Sequence, residues 1–508
     1  VRFFVFAVLI LLLLIINVGL FFISENEFQI GGKDRFERHP VGKRYKPDWD
    51  DLDSRPLPRW YDEAKIGIFL HWGIFSVPSF HSEWFWAYWN NPNNTDISRF
   101  MKNNYVPGFT YQDFGPQFRA EFFDPDEWAS LFANSGAKYV VLTSKHHEGF
   151  TLFPSKRSFS WNAVDIGPKR DLVEALAKSV RSQNLKFGVY HSLYEWYNPI
   201  YLEDKATNFS RRLYADTKLW PDIKQLVNDY NISVLWSDGD WEARDDYWKS
   251  TELLAWLYND SPVKDEIVVN DRWGIDIPCH HGDFYNCADR YNPGELQHHK
   301  WENAFTVDKK SWGYRRNIPI SEVMTIQELL KEVVSTVSCG GNALINVGPT
   351  KEGTIIPIFQ ERLLQLGRWL ERNGEAIYGT SPWLYQQDSI RNQSGIWYTC
   401  VKAQYDAVHP TAVPADDDDV TAIYAISVHS HSGREVALKD IATLLESEEY
   451  NVQLVSDPEH YLKVSLSFVI LINNLRIEVS WLLNFIYIPK CFSLAASHRP
   501  VFFKVWVA

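Results

Sequence analysis

A chain of 508 residues is longer than one compact unit of ordinary size, so a large domain with a smaller companion is expected. Its 45% hydrophobic and 23% charged residues exclude a disordered or fibrous chain. The formal charge of −13 excludes a nucleic-acid partner, because neutralising phosphates needs a surplus of Lys and Arg.

In chain order, Val1 to Ile23 is apolar apart from Arg2 and Asn17 and runs into the polar stretch Ser24-Glu25-Asn26-Glu27. Residues 1–24 therefore read as a signal peptide, with a retained membrane anchor as the alternative because the apolar run is long for a signal core. Glycosylation sequons at Asn93, Asn208, Asn231, Asn259 and Asn392 agree with export, the one at Asn259 being weakened by Pro262.

From Pro56 to Gly374 short apolar runs alternate with amphipathic stretches, the pattern of repeated β-α units. The predicted strands are Ile66 to Trp72, Tyr139 to Ser144, Lys186 to His191, Val234 to Ser237, Ile267 to Asn270 and Ala343 to Val347, most of them continuous Val/Ile/Leu/Phe runs as buried parallel strands require. Helices are predicted at Asp126 to Asn134 and Asp171 to Ser182, and along the stripe Phe359, Leu363, Leu366, Leu370, which ends near Gly374. Two further strands in the loop-rich stretch Asp271 to Glu322 would complete an eight-stranded barrel over residues 45–375. After Gly374 the pattern turns to short alternating runs at Ile396 to Lys402, Thr421 to His429 and Glu435 to Leu438, so residues 376–508 read as a small β-sandwich. Within it, Asp416 to Asp419 reads as a solvated loop, and 465–508 as final strands or as sequence foreign to the domain.

Five cysteines are too few for a disulfide scaffold, and the odd count leaves one unpaired within the chain. Of Cys279, Cys287, Cys339, Cys400 and Cys491, the first two lie eight residues apart and either close a small ring or stay as buried thiols.

Functional residues of a parallel barrel lie at the carboxyl ends of its strands. Here those ends carry His71-Trp72-Gly73, Lys145-His146-His147-Glu148, Tyr190-His191, Trp236-Ser237-Asp238-Gly239-Asp240-Trp241, Asn270-Asp271-Arg272-Trp273 and Asn346. Any one of these can be a capping or core residue, but packing alone does not put His, Asp, Arg or Trp at successive strand ends. The pairs His146-His147, His280-His281 and His298-His299 do not make a metal site, since neighbours on a strand face opposite ways and no His-Glu-x-x-His helix exists. No Gly-x-Ser-x-Gly elbow marks a serine hydrolase. What remains is carboxylate chemistry between aromatic walls, the equipment of glycoside cleavage, with neither metal nor cofactor.

Pro58 to Lys65 leading into Gly67-Ile68-Phe69-Leu70-His71-Trp72-Gly73, Ser82-Glu83-Trp84-Phe85, His146-His147-Glu148-Gly149-Phe150 and Leu235-Trp236-Ser237-Asp238-Gly239 resemble the alpha-L-fucosidases. The resemblance continues through Asn270-Asp271-Arg272-Trp273-Gly274, His299-Lys300-Trp301-Glu302, Ser311 to Arg316 and Gly341 to Pro349, and is strongest to the lysosomal animal branch. It implies a TIM-type (β/α)8 barrel and an exo-acting, retaining enzyme that removes terminal alpha-L-fucose from glycoproteins, glycolipids and oligosaccharides. It also implies a lysosomal or secreted destination and a homo-oligomer. Asp238 is the implied nucleophile, and His71, Glu83, His146, His147, Tyr190, Trp236 and Arg272 the implied sugar-binding residues. For the acid/base both Glu302 and Asp289 match family carboxylates. A silent lectin-like protein that keeps the pocket is the competing reading.

Overall fold

The computed structural model describes residues 43–389 and most of 395–428 in full, and backbone strands between residues 451 and 506. The expectations for residues 1–24, Asn392, Asp416 to Asp418, most of Glu435 to Leu438, and Cys491 lie outside the described residues.

Seven parallel strands form the central sheet: β1 (Ile66–Leu70), β2 (Tyr139–Lys145), β3 (Lys186–Ser192), β4 (Val234–Asp238), β5 (Val268–Val269), β6 (Trp301–Thr306) and β7 (Gly341–Val347). Their order, β5-β4-β3-β2-β1-β7-β6, puts β1 beside β7 and leaves β5 and β6 as the edges. Residues 283–286 lie between those edges. The amides of Asp283 and Phe284 donate to Val269 O (3.1 and 3.3 Å), that of Tyr285 to Lys300 O (2.9 Å), and that of Glu302 to Tyr285 O (2.8 Å). This short, irregular segment takes the place of a strand, so the sheet curls into a barrel.

The helices cover the outside because their apolar residues recur on one face. They include α1 (Pro125–Asn134), α2 (Leu172–Ser182), α3 (Trp220–Tyr230), α4 (Ser250–Asn259), α5 (Ile326–Ser338) and α6 (Pro357–Asn373). Helix α2 starts where Asp171 accepts from the Glu174 amide at 2.9 Å, an N-cap worth about 1 kcal/mol. It buries Leu172, Leu176 and Val180, while α6 buries the stripe Phe359, Leu363, Leu366 and Leu370 and stops at Gly374. Among the described residues no helix is long and apolar enough to cross a membrane.

Strand residues alternate between two cores. Ile66, Ile68 and Leu70 of β1 face the helices, whereas Phe69, Tyr139, Val141, Tyr190, Trp236, Ala304 and Leu344 fill the barrel with Tyr61 and Phe284. After the barrel, β8 (Ser381–Gln387), β9 (Ile396–Lys402) and β10 (Val420–Ser427) pair antiparallel, and β10 pairs in parallel with Phe502–Trp506 on its other edge. Helix α5 touches β7 and also β8 and β9, joining this sheet to the barrel.

Candidate active site

The carboxyl ends of the barrel strands surround a cavity of about 290 Å³. Its walls are Phe69, His71, Glu83, Trp84, His146, Tyr190, Trp236, Asp238, Trp241, Arg272, Asp289 and Trp312. Asp238 is the last residue of β4, and the chain turns away through Gly239 at φ +89°. A side chain at Gly239 would meet both a conformation that L-residues avoid and the Tyr194 ring, 2.6 Å from the Cβ position.

Three donors converge on Asp238. Tyr190 OH donates to Oδ2 at 2.7 Å, Arg272 Nη1 to Oδ1 at 3.0 Å, and His147 Nε2 stands 3.4 Å from Oδ2. Burial alone would raise the carboxyl pKa, but His147, Arg272 and Tyr190 outweigh it and hold Asp238 ionised, well below the usual carboxylate range. The reciprocal grip of β4 and β5 fixes the arrangement: Asn270 Nδ2 donates to Ser237 O (2.8 Å), the Ser237 amide returns a bond to Asn270 Oδ1 (2.9 Å), and Ser237 Oγ donates to Arg272 O (2.7 Å).

Asp289 arrives on the loop after β5. Arg272 Nη2 donates to its Oδ1 at 2.8 Å, so one guanidinium, lying 4.7 Å from the Trp236 ring centre, binds both carboxylates. The loop is pinned by Asp271, which accepts from the amides of Cys279 (2.8 Å), Asn286 (3.0 Å) and Cys287 (3.1 Å), and by a disulfide between Cys279 and Cys287. The small ring thus forms, while Cys339 and Cys400 are buried free thiols.

The remaining wall is made of histidines, aromatic rings and one carboxyl. His71 Nδ1 lies 2.9 Å from Asn346 Oδ1, and burial with nearby His146 pushes its pKa down to about 3. His147 Nδ1 lies 2.6 Å from Ser192 Oγ, and its ring stacks on Tyr194. Glu83 Oε2 accepts from the amides of Trp312 (3.0 Å) and Gly313 (3.1 Å); burial raises its carboxyl despite them. An aromatic-lined cup with Asp238 held ionised beside one arginine suits an uncharged sugar ring.

The alpha-L-fucosidase family model matches residues 36–375. Human tissue alpha-L-fucosidase is 55% identical over 370 residues, 73% of this chain and 79% of its own length. The alpha-L-fucosidase of Branchiostoma floridae is 57% identical over 358 residues, 70% of this chain and 79% of its own. The chain belongs to the alpha-L-fucosidase family. The crystal structure of the Thermotoga maritima alpha-fucosidase in complex with a mechanism-based inhibitor is similar at a TM-score of 0.60 and 39% identity, over 70% of this chain and 83% of that one.

This fucosidase, a glycoside hydrolase on a TIM-like barrel, gathers most of the residues named from its sequence. His71, Glu83, His146, Tyr190, Trp236, Asp238, Arg272 and Asp289 all line the cavity, and His147 backs Asp238. Glu302 is not among them. It is the second residue of β6, wholly buried at the amino-terminal half of the strand, and accepts from Tyr139 OH (2.6 Å), Tyr61 OH (2.7 Å) and Trp236 Nε1 (2.9 Å) inside the barrel. Phe69, Trp84 and Trp312 are wall residues that strand-end reasoning did not single out, and Trp241 stood at a strand end without being named as sugar-binding. Trp84 and Trp312 sit on long loops, where periodicity says nothing, but Trp241, 44% exposed beside Asp238, had a signal in the run Asp238-Gly239-Asp240-Trp241.

Proposed function

We propose that the fucosidase acts by retaining double displacement, with Asp238 as nucleophile and Asp289 as acid/base, on terminal alpha-L-fucose of glycoproteins, glycolipids and oligosaccharides. The observation that carries this reading is the single Arg272 guanidinium shared by the two carboxylates. A retaining site needs two carboxyl groups about 5–5.5 Å apart with one ionised and one protonated. One cation balances one negative charge. Before attack that charge is on Asp238, and the Asp289 carboxyl gives its proton to the leaving oxygen as Asp238 bonds to C1. In the fucosyl ester the charge has moved to Asp289, which takes a proton from the water that attacks C1 and frees Asp238.

Glu302 does not fit the acid/base role, because its oxygens are occupied inside the barrel and it does not reach the cavity. A wider groove of about 620 Å³ adjoins the pocket and shares Glu83, Trp84, Asp289 and Trp312 with it. A leaving glycan in that groove would lie beside Asp289, which supports the acid/base role for it. The ionised Asp238 argues against a silent lectin, which has no use for a carboxylate held ionised at the sugar.

We assign the enzyme to the lysosome or the secreted fraction. The names of its relatives, which include tissue and plasma fucosidases, and exposed sequons at Asn93, Asn208 and Asn231 support this. Asn259 differs, because its carboxamide bonds both the amide and the carbonyl of Tyr45 (2.9 and 2.8 Å), and a glycan there would break that pair.

A 2-fluoro fucosyl reagent should leave a label on the peptide carrying Asp238. A label on any other residue, or none with activity retained, overturns the mechanism.

A further inference from the structure

The polar groups around Asp238 are hydrogen-bonded, but Glu148, just behind them, is not. It is 4% exposed, and neither carboxylate oxygen makes a hydrogen bond with a described residue. Nδ1 of His146 is also buried without a hydrogen bond, and it lies 3.2 Å from Glu148 Oε2. Each group alone is a buried polar group without a partner, and a small rotation of either joins them.

The surroundings leave Glu148 little freedom. A Cβ at Gly73 would come within 3.1 Å of Oε1, and Trp161 Nε1 holds the Glu148 carbonyl at 3.0 Å. On the far side of the ring, His146 forms part of the pocket wall. A neutral imidazole carries one N–H and one lone pair, so whatever binds Nδ1 decides which of the two Nε2 offers. Burial and neighbouring His147 keep this imidazole neutral.

We propose that Glu148 is a positioning residue that sets the tautomer of His146, so that Nε2 presents an N–H to an oxygen of the bound fucosyl unit. This rests on reading the pocket as the fucosyl site.

The charged and titratable groups facing Glu148 are Lys145 and His147 along β2 and its turn, Glu195 after β3, and the Tyr111 hydroxyl. Burial outweighs the pull of His147 and Lys145, Glu195 adds to it, and the carboxyl is pushed up to about 8. Below that pH the Glu148 O–H donates to Nδ1 and Nε2 keeps its hydrogen. When pH rises through it, the pair loses one proton to solvent. The Nε2 hydrogen leaves by way of the pocket, the Glu148 proton moves to Nδ1, and Nε2 becomes an acceptor. The sugar then loses a donor.

The test is L-fucose affinity by calorimetry between about pH 6 and pH 9, with ¹⁵N spectra of the histidines, His146 being assigned by the signal lost in His146→Asn. Wild-type affinity should weaken roughly 3- to 10-fold across that range, the worth of one hydrogen bond, as the His146 tautomer changes. Glu148→Gln is isosteric and has no proton to lose, so both changes should vanish. Asp240, pushed up to about 7 by burial, is common to both proteins and cancels in the comparison. Affinity in Glu148→Gln that follows wild type with pH, or a His146 tautomer indifferent to pH in the wild type, overturns the proposal. Failure of the wild type to bind L-fucose would count against the fucosyl reading instead, while the spectra still decide the tautomer.

Discussion

Asp238 and Glu302 are both buried carboxyls inside one barrel, yet their settings are opposite. Asp238, at the carboxyl end of β4, faces Arg272 and His147 and opens onto a cavity. Glu302, near the start of β6, faces two tyrosine hydroxyls and an indole N–H and does not line that cavity. The Arg272 cation favours the charged form, and neutral donors do so less. Burial therefore wins at Glu302, whose pKa is raised, and loses at Asp238, whose pKa is lowered. Burial of a carboxyl does not by itself mark chemistry; the partners and the end of the strand do.

The sharpest way to break this contrast is to remove each carboxylate in turn. Asp238→Ala should lower kcat on an aryl fucoside by about 10⁴-fold or more while the circular dichroism spectrum stays intact. Asp289→Ala should lose on the order of 10²- to 10⁴-fold on a natural glycan and much less on an aryl fucoside, whose leaving group needs little protonation. Equal losses on both substrates would return the acid/base role to Glu302. Glu302→Gln should instead keep activity within roughly tenfold and lower the melting temperature, since an amide cannot accept from three donors and costs about 1–3 kcal/mol.

The two carboxyls also shape stability against pH with opposite signs. Asp238 has a folded pKa below its unfolded one, so its contribution is present above the unfolded value and lost as pH falls toward the folded value. Glu302 has a folded pKa above its unfolded one, so its contribution is full below the unfolded value and lost as pH rises through the folded value. Asp238→Asn should accordingly flatten the acid side of a melting-temperature profile, and Glu302→Gln the side above about pH 4.

Six of the seven strands were legible because they are apolar runs buried on both faces. The seventh, Trp301–Thr306, was not, since Glu302 and Asn303 interrupt it. Their polar groups are satisfied by partners far away in sequence, Tyr61, Tyr139, Glu332 and Thr336, which no local window can see. The segment 283–286 has no alternation to find, because irregular backbone bonds and the side chains of Asp283 and Asn286, which bond Val269 N and Glu302 O, close the barrel there. The site was legible where strands deliver it, and less so where loops do. Sequence left Asp289 and Glu302 equal, and only the loop geometry separates them.

That loop supplies the smallest expected effect and the finest test. The ring closed by Cys279 and Cys287 and the Asp271 carboxylate hold the chain that carries Asp289, while Asp238 is held by strand pairing and the Asn270–Ser237 bonds. Loss of the disulfide should therefore disturb Asp289 and spare Asp238. In Cys279→Ser with Cys287→Ser, labelling of Asp238 by a fucosyl fluoride should proceed at nearly the wild-type rate, because fluoride leaves without a proton. Hydrolysis of a natural glycan should fall by roughly 3- to 10-fold, since a misplaced acid costs about 1 kcal/mol of barrier. If both reactions fell together the disulfide would be supporting the barrel end as a whole. If only the glycan reaction fell, the two carboxylates would be shown to have separate structural supports joined at Arg272.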